Sequence, residues 1–260
     1  MVRIKLTGVL AASALAVASA IAAAAPALAA PGNFTCSGGP IPAGTYVNLT
    51  ITGFCAIASG NVTVDHDLTV TESGGLAATF PKSTLTVGHD FIVEQGGSAF
   101  LGCLADDGPP NPGPCTGATV SETIDGSLRS TGAMFLVLHN DTIGGQVSVS
   151  GGSAKYDCSN FAFTDFDVNK IGGNVSVSGI NACWDGFSNN KVGGNVFFNN
   201  NVTLIVEAPP VGADGNFVGG NTIGGSLSCS GNSPTPHLSD AVPVPNSVSG
   251  HTMGQCVGEI

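Results

Sequence analysis

The sequence predicts an all-β protein: a single-stranded parallel β-helix (solenoid) of about seven to eight coils with disulfide-bonded loops. Three observations predict it. One phrase recurs, as "NKIGGNVSVSG" at 169–179, "NKVGGNVFFNN" at 190–200 and "NTIGGSLSCSG" at 221–231. After the Gly pair, apolar and polar residues alternate, which is the period of a half-buried strand. No stretch beyond residue 31 sustains a 3.6-residue period, and 38 of the 260 residues are Gly, a residue that weakens helices.

In chain order, residues 1–29 read as a signal peptide. Arg3 and Lys5 precede an uncharged, Ala-rich apolar run, and Ala27 and Ala29 supply the small residues of a cleavage site. The run is long enough to span a bilayer, but it ends in that cleavage pattern. No second run of that length follows, so no membrane insertion is expected once the signal is removed. Residues 30–60 read as an N-terminal cap over an open strand edge, which would otherwise invite aggregation.

Residues 61–232 read as the β-helix repeats. The phrase aligns with copies beginning at Val64, Val87, Ile124, Ile143, Ile171, Val192 and Ile223. Each copy is an aliphatic residue, two turn residues, a polar residue and an apolar one. An Asn or Asp usually stands two residues ahead: Asp141, Asn169, Asn190 and Asn221. One such unit cannot bury its apolar side alone, whereas stacked units can, with Ile over Ile and Val over Val. An antiparallel sandwich would explain the alternation, but not the recurrence of the same side chains around the same Gly pair. Residues 233–260, rich in Pro, read as a C-terminal strap or cap.

All eight Cys follow the leader: Cys36, Cys55, Cys103, Cys115, Cys158, Cys183, Cys229 and Cys256. An even count in an exported chain implies disulfides, and eight Cys admit 105 pairings. A fold of local contacts favours neighbours: 36–55, 103–115, 158–183 and 229–256. The expected location is therefore secreted, extracellular or associated with the cell envelope.

Without Arg3 and Lys5, five basic residues face 18 acidic ones, a balance of about −13. That excludes nucleic acid, whose phosphates need Lys and Arg, and it disfavours anionic lipid. A lyase of acidic polysaccharide needs clustered carboxylates and a basic proton acceptor. Arg129 is the one Arg beyond the leader, and Lys170 and Lys191 repeat at one position, as a solvated corner ladder would. Asp106-Asp107 is the one acidic pair of polygalacturonase type, with no Arg-x-Lys to accompany it. The G-G-x-G-x-D calcium repeat is absent. His66 and His89 share a repeat position, as do Asp67 and Asp90, and together they form a candidate metal site. No cofactor is otherwise expected, and calcium is the ion these acidic coils would admit. Trp184, Asp185 and Phe187 are the candidate ligand-binding residues. They form an aromatic sugar platform or, with Phe161, Phe163 and Phe166, a small core under paired loops.

With its "IGGNVSVSG"-type phrase over about residues 60–232, the chain resembles bacterial exported parallel β-helix repeat proteins. The resemblance implies a β-solenoid and no particular catalytic residue. The expected function is a non-enzymatic structural or surface-binding rod, adhesin-like or glycan-binding, whose partner is a cell-surface polysaccharide or protein. The alternative is a carbohydrate-active β-helix enzyme, a polysaccharide lyase or hydrolase.

Overall fold

The computed structural model describes residues 32–104, 118–151, 163–203, 215–238 and 244–258. Every ladder between its strands is parallel, each strand pairing with its counterpart one coil away. A sandwich of hairpins is therefore ruled out, and the chain is a three-faced parallel β-helix. Among the described residues the first face has nine strands, from Gly44–Tyr46 to Ser247–Val248. The second has ten, from Phe34–Cys36 to Thr252–Gly254. The third has eight, from Gly39–Pro40 to Asn216–Gly219. The longest face exceeds the seven or eight repeats because the coil register runs past residues 61–232 at both ends.

The aligned phrase marks one column of the first face. Tyr46, Val64, Val87, Ile124, Ile143, Ile171, Val192, Ile223 and Val248 are successive register partners. All but Val248 are buried. Burying each aliphatic side chain contributes about 1.5–3 kcal/mol, and that uniform gain is why the type of residue recurs. The Gly pair recurs for a different reason. A Cβ on Gly144, Gly172 or Gly193 would run into a carbonyl oxygen of the preceding coil, so backbones stack too closely there for any other residue.

The Asn ahead of each phrase also has a specific task. It does not take the left-handed turn, which falls one residue earlier, at Asn140, Val168, Asn189 and Gly220. Instead Asn169, Asn190, Asn221 and Asn246 form a buried ladder between coils. The Asn190 side-chain carbonyl accepts the backbone N–H of Asn169 at 2.9 Å, and its amide donates to Phe166 O at 2.9 Å. Asn221 repeats this for Asn190 and Phe187, at 2.9 and 2.8 Å. Asn246 does the same for Asn221 and Val218, at 3.1 and 3.0 Å. Each rung satisfies backbone groups at a corner where no strand partner exists.

Cys36–Cys55 and Cys229–Cys256 are disulfides, as neighbour pairing predicts. Cys103 and Cys183 are also disulfide-bonded. Their expected partners Cys115 and Cys158 lie outside the described residues, as do residues 1–29, the expected signal peptide, and Asp106-Asp107. The disulfides are consistent with an extracellular protein. No helix among the described residues is long and apolar enough to cross a membrane.

Candidate functional site

Three of the long stretches between strands adjoin strands of the third face. Residues 103–122 follow Ser98–Gly102, while 151–162 precede Phe163–Asp167 and 204–215 precede Asn216–Gly219. The third-face strands thus border the most varied part of the sequence, where loops carry function in many folds.

Side chains alternate across a strand, which divides the candidate residues. On the inner side, one register column reads Cys55, Leu76, Ala99, Leu136, Thr164, Asp185 and Asn216. All seven are buried. The next inner column includes Phe166 and Phe187, whose rings lie 6.2 Å apart in the core. Phe187 is thus a core residue and is not available to a ligand. Trp184 alone of the three ligand-binding candidates lies on the outer side, where it stacks on Phe217 at 6.5 Å and 23°. Phe217 in turn meets the ring edge of His237 at 6.0 Å and 82°. Phe100 and Phe135, 5.7 Å apart, extend the aromatic surface toward the N-terminal coils. Phe166 and Phe187 therefore belong to the main core, not to a satellite cluster with Trp184. Phe161 lies outside the described residues.

Asp185 is the anomaly of the inner column. It is wholly buried, and neither carboxylate oxygen has a hydrogen-bond partner. Burial pushes its carboxyl well above the usual range, and the nearby charge of Asp165 adds to the shift. Asn216 Oδ1 and Thr203 Oγ1 are also buried without a partner. Asp165 lies across the sheet, beside Gly186, with His139 at 2.9 Å from its Oδ2.

Two other buried carboxyls take over the asparagine ladder at its upper end. Asp141 Oδ1 accepts Glu122 N at 2.7 Å, and Glu122 Oε2 accepts Leu85 N. Burial pushes Asp141 well above the usual range and Glu122 up to about 8. Both carboxyls stand at rung positions that amides fill further along the ladder.

The His66, Asp67, His89 and Asp90 corner stacks in register as expected, with His89 N donating to His66 O at 3.1 Å. Its carboxylates, however, work as rungs. Asp67 Oδ1 accepts Asp90 N at 3.1 Å, and Asp90 Oδ1 accepts Ser127 N at 3.0 Å. His89 Nδ1 lies 2.7 Å from Asp67 Oδ1, and Arg129 Nε donates to Asp90 Oδ2 at 3.1 Å. The Asp67 contact holds the exposed His89 above its ordinary value, and the same bond lowers Asp67. Among the described residues no three His, Cys, Asp or Glu gather closely enough to hold a metal. Lys170 and Lys191 are exposed register partners, as a corner ladder requires.

No protein-family model, curated protein or solved structure matches the chain. The residues that sequence reasoning missed are Thr164, Thr203, Asn216, Phe217 and His237. A signal for two of them, Thr164 and Asn216, was present. Counting back eight residues from the first Gly of each pair gives Leu136, Thr164, Asp185 and Asn216, the inner column of the third face.

Proposed function

We propose that the protein is a non-enzymatic exported rod that binds a surface glycan on its third face. The observation that carries this reading is the Trp184–Phe217 stack, flanked by His237, on the outer side of that face. Flat aromatic surface with a nearby polar edge suits the apolar faces of sugar rings.

Carboxylate placement favours binding over hydrolysis. A glycosidase needs two carboxyl groups on either side of one bond. Asp165 and Asp185 come from neighbouring strands but project from opposite sides of the sheet, and Asp185 is sealed inside. Asp67, Asp90 and Asp167 are each engaged in contacts between coils. The strong net negative charge favours neutral glycans over polyuronates.

The test is a panel of neutral and acidic polysaccharides, scored for both retention and turnover. Retention of a neutral glycan, lost in Trp184→Ala and in Phe217→Ala while both variants keep the parent's β spectrum, is the expected result. Turnover would replace this reading with the carbohydrate-active enzyme.

A further inference from the structure

We propose that the coil interior at Asp185 is a calcium site, built from Asp185, Asn216 and Thr203. The argument begins with an imbalance of hydrogen-bonding groups. Asp185 Oδ1, Asp185 Oδ2, Asn216 Oδ1 and Thr203 Oγ1 are buried acceptor atoms, and none has a partner. The three residues are 0%, 0% and 4% exposed. Buried polar atoms are nearly always satisfied, and a buried charge needs a counter-charge.

Backbone register and packing make these three residues neighbours. Asp185 and Asn216 are register partners facing the same interior. Asp185 N donates to Gly215 O at 2.7 Å. The Thr203 side chain lies against Gly215 so closely that a Cβ there would strike it, and the Cys183 carbonyl adjoins the same spot. The Asn216 amide nitrogen is fixed by donating to Pro234 O at 2.7 Å and Asn201 O at 3.3 Å. Its oxygen is therefore held in one orientation and is left over.

A set of oxygens with carboxylate, amide and hydroxyl members is the ligand chemistry of calcium, which accepts irregular oxygen shells. Asp185, with Asp165 acting across the sheet, supplies the negative field that a divalent ion requires. The site contains a single carboxylate, and its remaining oxygens are an amide and a hydroxyl. It is also remote from the exposed His66–Asp90 corner. It stands independently of glycan binding, although Asp185 directly follows Trp184 and Asn216 directly precedes Phe217. An ion there would hold the two strands whose outer sides present the stacked rings.

The test uses the exported chain stripped with EGTA, then titrated with calcium alone. Equilibrium dialysis is expected to give one ion bound per chain, with the thermal midpoint rising by several degrees at millimolar calcium. Asp185→Asn is expected to abolish both effects. Thr203→Val removes an oxygen with no other partner, and it is expected to raise the half-saturating calcium at least about tenfold. If Asp185→Asn does not fold, the Thr203→Val shift decides. No calcium effect on the parent chain overturns the proposal and leaves Asp185 a protonated acid. An undiminished response in Asp185→Asn or Thr203→Val also overturns it, because calcium would then bind away from this interior.

Discussion

The N-terminal and C-terminal coils solve the same packing problem with different chemistry. In the first coils the inner column of the third face is Cys55, Leu76 and Ala99, and the first face is built from strands as long as Gly60–Val64 and Ser83–Val87. In the last coils the same column is Thr164, Asp185 and Asn216, and first-face strands such as Lys191–Val192 shrink to two residues. Where the strands shorten, buried asparagines replace the lost backbone bonds. The interior of the apolar half depends mainly on burial, and its titrating contacts, such as His89 with Asp67, lie at the exposed surface. The polar half depends on specific hydrogen bonds and charges, so it can respond to pH and ions. The join lies at Glu122, whose carboxyl serves Leu85 N, inside a five-residue strand that stacks on a two-residue one.

The largest expected effect comes from breaking a buried rung. Asn190→Ala leaves Asn169 N and Phe166 O without partners and removes the bond to Asn221. At about 1–3 kcal/mol per orphaned buried group, the loss is about 3–5 kcal/mol. In a solenoid that loss is felt mainly by neighbouring coils. Hydrogen exchange is therefore expected to accelerate around 163–192 while strands 60–64 and 83–87 keep their protection. Uniform acceleration along the rod would mean that the two halves form one cooperative unit, and the comparison would fail.

This ladder also marks the limit of what the sequence made legible. The first-face column could be read because burial selects one residue type, and Ile or Val before a Gly pair is easy to align. The asparagines were visible as a recurrence but pointed to turns, since an Asn before Gly suits a left-handed corner. Their bonds run to residues 21–34 positions away, a distance that only the register supplies. Asp185 was visible as an acid near Trp184, whereas its inward direction depends on strand phase. That phase could be fixed only by extending the alignment backward from the Gly pair. Thr203 was beyond reach, because it lies before an interruption of the repeat.

The second effect in size is a dependence on pH located at the join. Glu122 has its folded value raised from the ordinary 4.5 to about 8. Between those values the folded state holds a proton that the unfolded state has released, so stability falls as pH rises. The decline is expected to amount to a few kcal/mol, set by about 1.36 kcal/mol per unit, and Asp141 acts in the same direction. Glu122→Gln keeps an acceptor for Leu85 N and cannot ionise. Denaturation midpoints from pH 5 to 8 are expected to slope less steeply in that variant than in the parent. An equal slope in both would place the titration elsewhere.

A smaller effect separates buried rungs from exposed ones. The Asn195 side chain accepts only the part-buried Ser226 N, at 2.8 Å, and its corner borders water. Water can replace the lost bond, so Asn195→Ala is expected to cost under about 1 kcal/mol. A cost equal to that of Asn190→Ala would show that repetition, not burial, gives the ladders their strength.

The smallest effect belongs to the exposed corner of the apolar half. His89 gains from Asp67, so its contribution is complete below the ordinary histidine range and is lost as pH rises through its raised value. Asp67 is lowered by the same contact, so its contribution is present above the ordinary carboxylate range and lost as pH falls. The pair is favourable only between those limits, and it is open to solvent and salt. Asp67→Asn preserves the acceptor for Asp90 N while removing the charge. It is expected to return His89 toward its ordinary value in an NMR titration, with no measurable change in the denaturation midpoint. Molar salt is expected to shift the parent's His89 in the same direction, but to leave the Glu122 slope intact because Glu122 is sealed from the solvent. If salt flattened both, the join between the halves would be open to water, and its raised acid would need another cause than burial.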